Sequence, residues 1–290
     1  MAVVGGLTVD LFGDEQVVGG PAWYAGTAAV SRKLFVSVFS AVGDDYPEKF
    51  ITTMRQLGID VSPVVRISGA RSSTFRHQYT ATGRKSILLS QGPIIPVKLL
   101  EGLEADVALL SPVFKEADVQ HLKLIKERAG MTALDLQGFI RDADEKGNIR
   151  LVRRDVSNLL EIADVIHCSD EEVLALAGVK DLVEAVANIG RKVRGVFLVG
   201  SRHGLYLVER NILKFFEEVT DQEAVEATGA GDMLTAFFIS FVVQGYSAED
   251  AAGSALGLLR QALKNPPPHR VTTRLPAPDI PARAAWSRPL

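Results

Sequence analysis

The sequence predicts an α/β fold in three layers: a mostly parallel central sheet, helices on both of its faces, and a small β-strand lid beside it. Three observations carry this expectation. Short apolar runs alternate with amphipathic stretches along most of the chain, the pattern of βα units that feed a parallel sheet. Residues 64–90 break that alternation with strand-like runs and no helix between them. The chain has 290 residues, 47% hydrophobic and 23% charged, which suits one large α/β domain spanning 1–290 and excludes a disordered chain.

The elements follow in order. Ala2–Val9 reads as a first strand, and Pro21–Lys33 as a small-residue-rich helix after the pair Gly19-Gly20. Leu34–Ser40 reads as a strand and Tyr46–Leu57 as a helix. In the region 64–90, the runs VVRIS, SSTFRHQYT and KSILLS are separated by Gly69 and by Thr82-Gly83. They predict an antiparallel flap that, with residues 11–20, forms a lid over roughly 11–20 and 64–92. Strands at Asp106–Leu110, Met131–Leu136 and Asp164–Cys168 alternate with helices at Lys115–Arg128 and Asp170–Ala177. Gly195–Val199 is a further strand, and the helices Gly229–Gln244 and Ser247–Lys264 close the globule. Residues 265–290 hold seven of the 13 prolines without helical periodicity, which predicts an extended Pro-rich tail. Sites in such folds lie at the carboxyl ends of the strands.

Charge and cysteine content narrow the function. Thirty-two basic against 35 acidic residues give a net charge of −3, which argues against a nucleic-acid partner. Cys168 is the one cysteine, so neither an internal disulfide nor a Cys-based zinc site is available. No signal-like amino terminus is present, and apolar runs such as 237–243 are too short for a membrane span. The expected setting is cytoplasmic, without a membrane partner.

The sharpest local signal is Glu226-Ala-Thr-Gly-Ala-Gly-Asp232, followed by an apolar helix. Small residues at a helix start let backbone N–H groups converge on an anion, aided by the helix dipole. A carboxylate in the first turn of that helix, Asp232, suits removal of a proton from a hydroxyl attacking the held group. Asp10, at the end of the first predicted strand, offers an acceptor-only carboxylate to hydroxyl donors. No P-loop, H-E-x-x-H or G-x-S-x-G pattern occurs. His77 is expected to be a surface or lid residue.

Several ordered motifs together resemble the PfkB/ribokinase family of carbohydrate kinases. They are Gly6-Leu-Thr-Val-Asp10, Gly19-Gly20-Pro-Ala-Trp-Tyr, Ala41-Val-Gly-Asp-Asp45 with Leu57-Gly-Ile-Asp, and Glu226–Asp232 against a D-T-T-G-A-G-D signature. The resemblance runs almost end to end and implies a ribokinase-like sandwich whose lid is the β flap. It implies Asp232 as catalytic base and the amides of Gly229, Ala230 and Gly231 as the anion hole. Asp10, Gly19 and Gly20 would bind the acceptor.

ATP and Mg2+ are the implied cofactors. The nucleotide side would include Ser169, Gly200, Thr228, Gly229 and Gly231, with Glu172 holding magnesium through water. Two motifs depart from the family. Leu198 or Val199 stands where a Thr is usual before Gly200, and Ser169 replaces the Asn of N-x-x-E.

Substrate class is read from two further departures. Tyr24, preceded by Trp23, stands where the family has Asn, and Leu134-Asp-Leu-Gln-Gly-Phe-Ile-Arg141 replaces D-x-N-x-R. With Ser111-Pro-Val, these look like the archaeal and plant inositol kinase branch. Tyr24, Gln137 and Arg141 are the implied contacts to a cyclic polyol such as myo-inositol. A basic cluster of Arg71, Arg76, Arg84 and Lys85 keeps a sugar phosphate open, and other sugars and nucleosides are also handled by the family. A non-catalytic sugar-sensing protein is the competing class, against which the retention of Asp232 argues. A homodimer through the lid strands is expected.

Overall fold

The computed structural model describes residues 1–13, 15–80, 83–217, 228–264 and 282–290. The signature residues Glu226 and Ala227 and most of the Pro-rich tail lie outside the described residues, as does the side chain of Arg84.

Strand β1 (Ala2–Gly5) opens the central sheet. The chain leaves that sheet at Gly6-Leu7 and enters β2 (Thr8–Phe12) and β3 (Glu15–Gly19), which belong to a second sheet. The expected single strand Ala2–Val9 is therefore two. A Cβ at Gly6 would collide with the buried carboxylate of Glu116, and that crowding marks where the chain departs. Helix α1 (Pro21–Ser31) follows, with Pro21 at its first position, where the missing N–H costs nothing.

Strand β4 (Val36–Gly43), helix α2 (Glu48–Gln56) and the short β5 (Ile59–Asp60) extend the central sheet. Strand β6 (Val64–Ile67) was expected in the lid but pairs in parallel with β4. The lid is built from β7 (Ser73–Thr80) and β8 (Gly83–Ser90) together with β2 and β3, in the order β3-β2-β7-β8. It is mixed rather than antiparallel, because β2 and β7 run in the same direction.

The second half alternates as expected through β9 (Ala105–Ser111), α3 (Val119–Arg128) and β10 (Ala129–Asp135). A single-turn helix α4 (Gln137–Ile140) and a hairpin of β11 (Arg141–Ala143) and β12 (Ile149–Leu151) follow, and a bridge from Ile87 to Asn148 ties that hairpin to the lid. Then come α5 (Ser157–Ile162), β13 (Val165–Ser169), α6 (Asp170–Ala177) and α7 (Leu182–Gly190). Strands β14 (Val196–Ser201), β15 (Gly204–Glu209) and β16 (Ile212–Glu217) form an antiparallel end to the sheet. Helices α8 (Ala230–Val243) and α9 (Ala248–Leu263) complete the body, and β17 (Trp286–Pro289) from the tail pairs with β16.

Central-sheet order is β17-β16-β15-β14-β13-β10-β9-β1-β4-β5. Alternation along β1 sends Val3 to one core, with α1, α2, α8 and α9, and Ala2 and Val4 to the other, with α3, α5, α6 and α7. Helix α8 is apolar on nearly all sides because it is buried between α1, α9 and the sheet. The order reverses at β1, which lies between β4 and β9, so a crevice opens at the carboxyl ends of these strands. The lid stands over that crevice. Among the described residues no helix is long and apolar enough to cross a membrane.

Candidate active site

Helix α8 begins at Gly229, whose φ of 76° is left-handed, so a side chain there would be strained. A Cβ would also run into the ring of Tyr24, which reaches it from α1. The small residues 229–231 thus open the first turn of a 14-residue helix, and amides at a helix start, which lack intrahelical partners, can face an anion. Asp232 sits in that turn, buried, and Ser111 at the end of β9 donates a hydrogen bond to its Oδ1 at 3.4 Å. Burial, and then the nearby Asp135, push the Asp232 carboxyl up to about 8, against the pull of His167, Arg141 and Ser111.

Asp232 lies where two cavities meet. The larger, about 680 Å³, is lined by the 229–231 segment, Asp135, His167, Ser169, Glu172 and Lys85. The smaller, about 50 Å³, lies under the lid and is lined by Asp10, Gly20, Tyr24, Phe75, His77 and Thr228. Ser86, Gln137, Arg141, Gly229 and Asp232 border both. A carboxylate at such a junction can take a proton from a group in the small chamber while the helix end holds an anion in the large one.

The small chamber lies between the lid strands β2, β7 and β8 and the body of the molecule. Asp10 on β2 accepts a hydrogen bond from the Thr8 hydroxyl at 2.6 Å, and His77 Nε2 on β7 lies 3.2 Å from its other oxygen. His77, expected as a surface or lid residue, lies on a lid strand but not at the surface: its side chain is only 7% exposed, because alternation on β7 sends Phe75 and His77 inward and Arg76 out. Its Nδ1 lies 3.0 Å from Ser86 Oγ on β8. Gly19 makes room for the Asp10 carboxylate rather than for a ligand, since a Cβ there would overlap those oxygens. Gly20 borders the chamber with φ 90°, and Tyr24 forms its wall while Trp23 packs into the core.

In the large chamber, Ser169 and Glu172 form the capping box of α6: the Ser169 amide donates to Glu172 Oε2 at 2.8 Å and the Glu172 amide to Ser169 Oγ at 3.3 Å. Arg141 Nη2 approaches Glu172 Oε1 at 4.0 Å. Burial, then Asp135, raise the Glu172 carboxyl, against Arg141 and the Ser169 amide. Among the described residues no three His, Cys, Asp or Glu side chains converge as a metal cage. The available donors are carboxylate oxygens beside a space for phosphates, which fits Mg2+, a hard ion that keeps several waters and uses one or two carboxylates.

Two expected residues fall elsewhere. Thr228 borders the small chamber rather than the large one. Gly200, at the end of β14, borders neither and faces His167 and Leu234. Of the basic cluster, Lys85 lines the large chamber, whereas Arg71 is exposed beside Asp45 and Arg76 points outward.

Sequence reasoning gave no role to the pair Asp135 and His167. Their side chains meet at 2.7 Å, both buried, where Asp135 at the end of β10 pairs with His167 on the adjacent strand β13. A polar residue inside an otherwise apolar strand, as in Val165-Ile-His-Cys, was the available signal.

The family model that matches this chain makes it a phosphotransferase with an alcohol group as acceptor. A model of the pfkB family carbohydrate kinase matches residues 17–258, and the chain belongs to that family. Its fold is that of a pyrophosphate-dependent kinase in the ribokinase family solved with a pyrophosphate analog and myo-inositol, at 18% identity and TM-score 0.80 over 94% of this chain and 98% of that one. A protein from E. coli described as a ribokinase II, in complex with ATP and Mg2+, matches at 16% identity and TM-score 0.72 over 94% and 95%. Arabidopsis thaliana ribokinase with ribose and ATP matches at 18% and 0.69 over 94% and 96%. A search of curated protein sequences finds no significant match.

Proposed function

We propose that this kinase transfers the terminal phosphoryl group of MgATP to a hydroxyl of a small cyclic polyol, myo-inositol first. The observation that carries this reading is the position of Asp232, buried between a lid-covered chamber rich in hydroxyl-binding groups and a chamber ending on the amides of α8. The acceptor lies under the lid, with Asp10 taking hydrogen bonds from its hydroxyls and Tyr24 and Phe75 as apolar walls. Gln137 and Arg141, which border both chambers, reach acceptor and donor alike. Asp232 removes the proton from the attacking hydroxyl, and the amides at 229–231 stabilise charge on the transferring group. Glu172 would hold magnesium through water, and the ion would supply charge neutralisation at the phosphate oxygens.

What supports a polyol over a sugar phosphate is that Arg71 and Arg76 do not line the lid-covered chamber, where Arg141 stands with the carboxylates of Asp10 and Asp232. Pyrophosphate is the second donor reading. Three neighbours, at 18–19% identity, are described as pyrophosphate-dependent. Turnover with MgATP and with magnesium pyrophosphate against myo-inositol, ribose, fructose, fructose 6-phosphate, 2-keto-3-deoxygluconate, adenosine and cytidine tests both assignments. Activity confined to myo-inositol is expected; activity confined to another acceptor overturns the polyol reading and leaves the kinase class standing.

A further inference from the structure

We infer that His167 is a donor-binding residue: its buried imidazole, oriented by Asp135, presents Nε2 to a phosphate oxygen of the phosphoanhydride donor held at the start of α8. The inference rests on the phosphotransferase class and is independent of which polyol or sugar is the acceptor.

Orientation comes first. The Asp135 carboxylate can only accept, so at 2.7 Å His167 Nδ1 donates its hydrogen to Oδ2. The other oxygen of Asp135 accepts the Gln137 amide at 2.9 Å, which fixes the carboxylate from its far side. The ring is therefore locked, and Nε2 is the atom left to act.

That atom has no hydrogen-bond partner among the described residues, although it is fully buried. A buried polar nitrogen without a partner is costly, and native structures rarely leave one so unless a ligand or water completes it. His167 lines the large chamber and not the small one, so the acceptor hydroxyl is not that ligand. The ring lies against the helix start: a Cβ on Gly231 would be 2.7 Å from its Cε1, and one on Gly200 3.4 Å from Nε2. Glycine on both sides leaves the imidazole edge open beside the amides that bind an anion.

The charges around the ring fix the sign of its contact. Asp135 from β10, Glu172 from α6 and Asp232 from α8 all face His167, with Arg141 nearby. Burial opposes the charged ring, but the contact with Asp135 and the fields of Glu172 and Asp232 outweigh it and raise the imidazole above its ordinary value. With Nδ1–H given to Asp135, a proton on Nε2 makes the ring a cation that donates outward. In a chamber whose other buried ionisable side chains are carboxylates, that donor matches a phosphate oxygen. His167 keeps its proton through the reaction and contributes charge, not proton transfer.

The test compares His167→Leu, His167→Gln and His167→Lys in the full-length protein. The Leu variant is expected to raise KM for the donor roughly tenfold or more while acceptor KM stays within about twofold. Lys, which restores a cation, is expected to recover most of that loss. Magnesium pyrophosphate as a probe should raise the melting temperature of the wild-type protein, and this shift should be lost in the Leu variant. Equal changes in donor and acceptor KM with a lowered ligand-free melting temperature would overturn the proposal in favour of a structural role, as would an unchanged donor KM. If the Leu variant does not fold, the near-isosteric Gln variant decides by the same two readouts. Asp135→Asn, which removes the orienting charge, should raise donor KM in the same direction. Absence of turnover with every acceptor would challenge the kinase reading, whereas the pyrophosphate shift still reports on His167.

Discussion

In the proposed role of base, Asp232 must be ionised to accept a proton, yet its carboxyl is held up to about 8 by burial and by Asp135. Activity at limiting substrate should therefore rise with pH through the neutral range and level off near 8 to 9, read from kcat/KM against pH. Stability should run the opposite way. The folded state holds a proton that the unfolded chain, with an ordinary aspartate, releases near 4, so this group's contribution is complete below that pH and is lost as pH rises through about 8. Asp232→Asn should accordingly lower kcat by about 10³-fold or more with acceptor affinity nearly unchanged. Its melting temperature relative to wild type should be higher at pH 9 than at pH 5, and an Asn variant with undiminished kcat would remove Asp232 from the role of base. The carboxylate and the glycines before it were legible in the sequence because they are adjacent in the chain. Its partners were not: Ser111 is separated from it by 121 residues, and Asp135 reaches His167 across 32. Only the folded sheet sets those strand ends side by side.

At the scale of the element, helix starts and strand alternation explain what was and was not legible. The βα alternation and the last two helices follow from hydrophobic period, so their expected bounds differ from the observed ones by a few residues at most. A short apolar run carries no label for the sheet it joins, and so β6, expected in the lid, pairs instead with β4. The Ser169–Glu172 box offers a separable test, since Glu172 both caps α6 and faces the large chamber. Glutamine can cap as glutamate does. Glu172→Gln should keep stability within about 1 kcal/mol while raising the magnesium concentration needed for half-maximal rate; Ser169→Ala should cost about 1 kcal/mol in chemical denaturation. An unchanged magnesium requirement in the Gln variant would leave Glu172 a cap and nothing more. Gly229→Ala adds a side chain at positive φ and against Tyr24, and its denaturation midpoint should drop by an amount equivalent to roughly 1–3 kcal/mol.

At the scale of the molecule, the central sheet has two edges and the lid has its own. One edge of the central sheet is closed by β17, where Trp286 stacks on Phe215 at 5.8 Å and meets Tyr206 edge-on at 6.2 Å. Ending the chain at residue 281 uncovers the edge of β16, and the shortened protein should show a lower melting temperature and concentration-dependent aggregation by light scattering. The lid strands carry Leu89, 43% exposed, with Ile94 just beyond at 63%. Under the proposal of a lid-mediated homodimer, light scattering should give the mass of two chains, and Leu89→Glu should give one; a wild-type mass of one chain removes that proposal.

The shared wall between the two chambers limits how this protein can be retooled. Gln137, Arg141 and Gly229 border both spaces, so under the proposed function a change there bears on acceptor and donor together. Thr8, Tyr24, Phe75 and His77 face the lid chamber alone. Three of these four positions sit on two neighbouring lid strands, β2 and β7. Under the proposed function, that patch is where acceptor preference changes without altering a residue that lines the donor chamber.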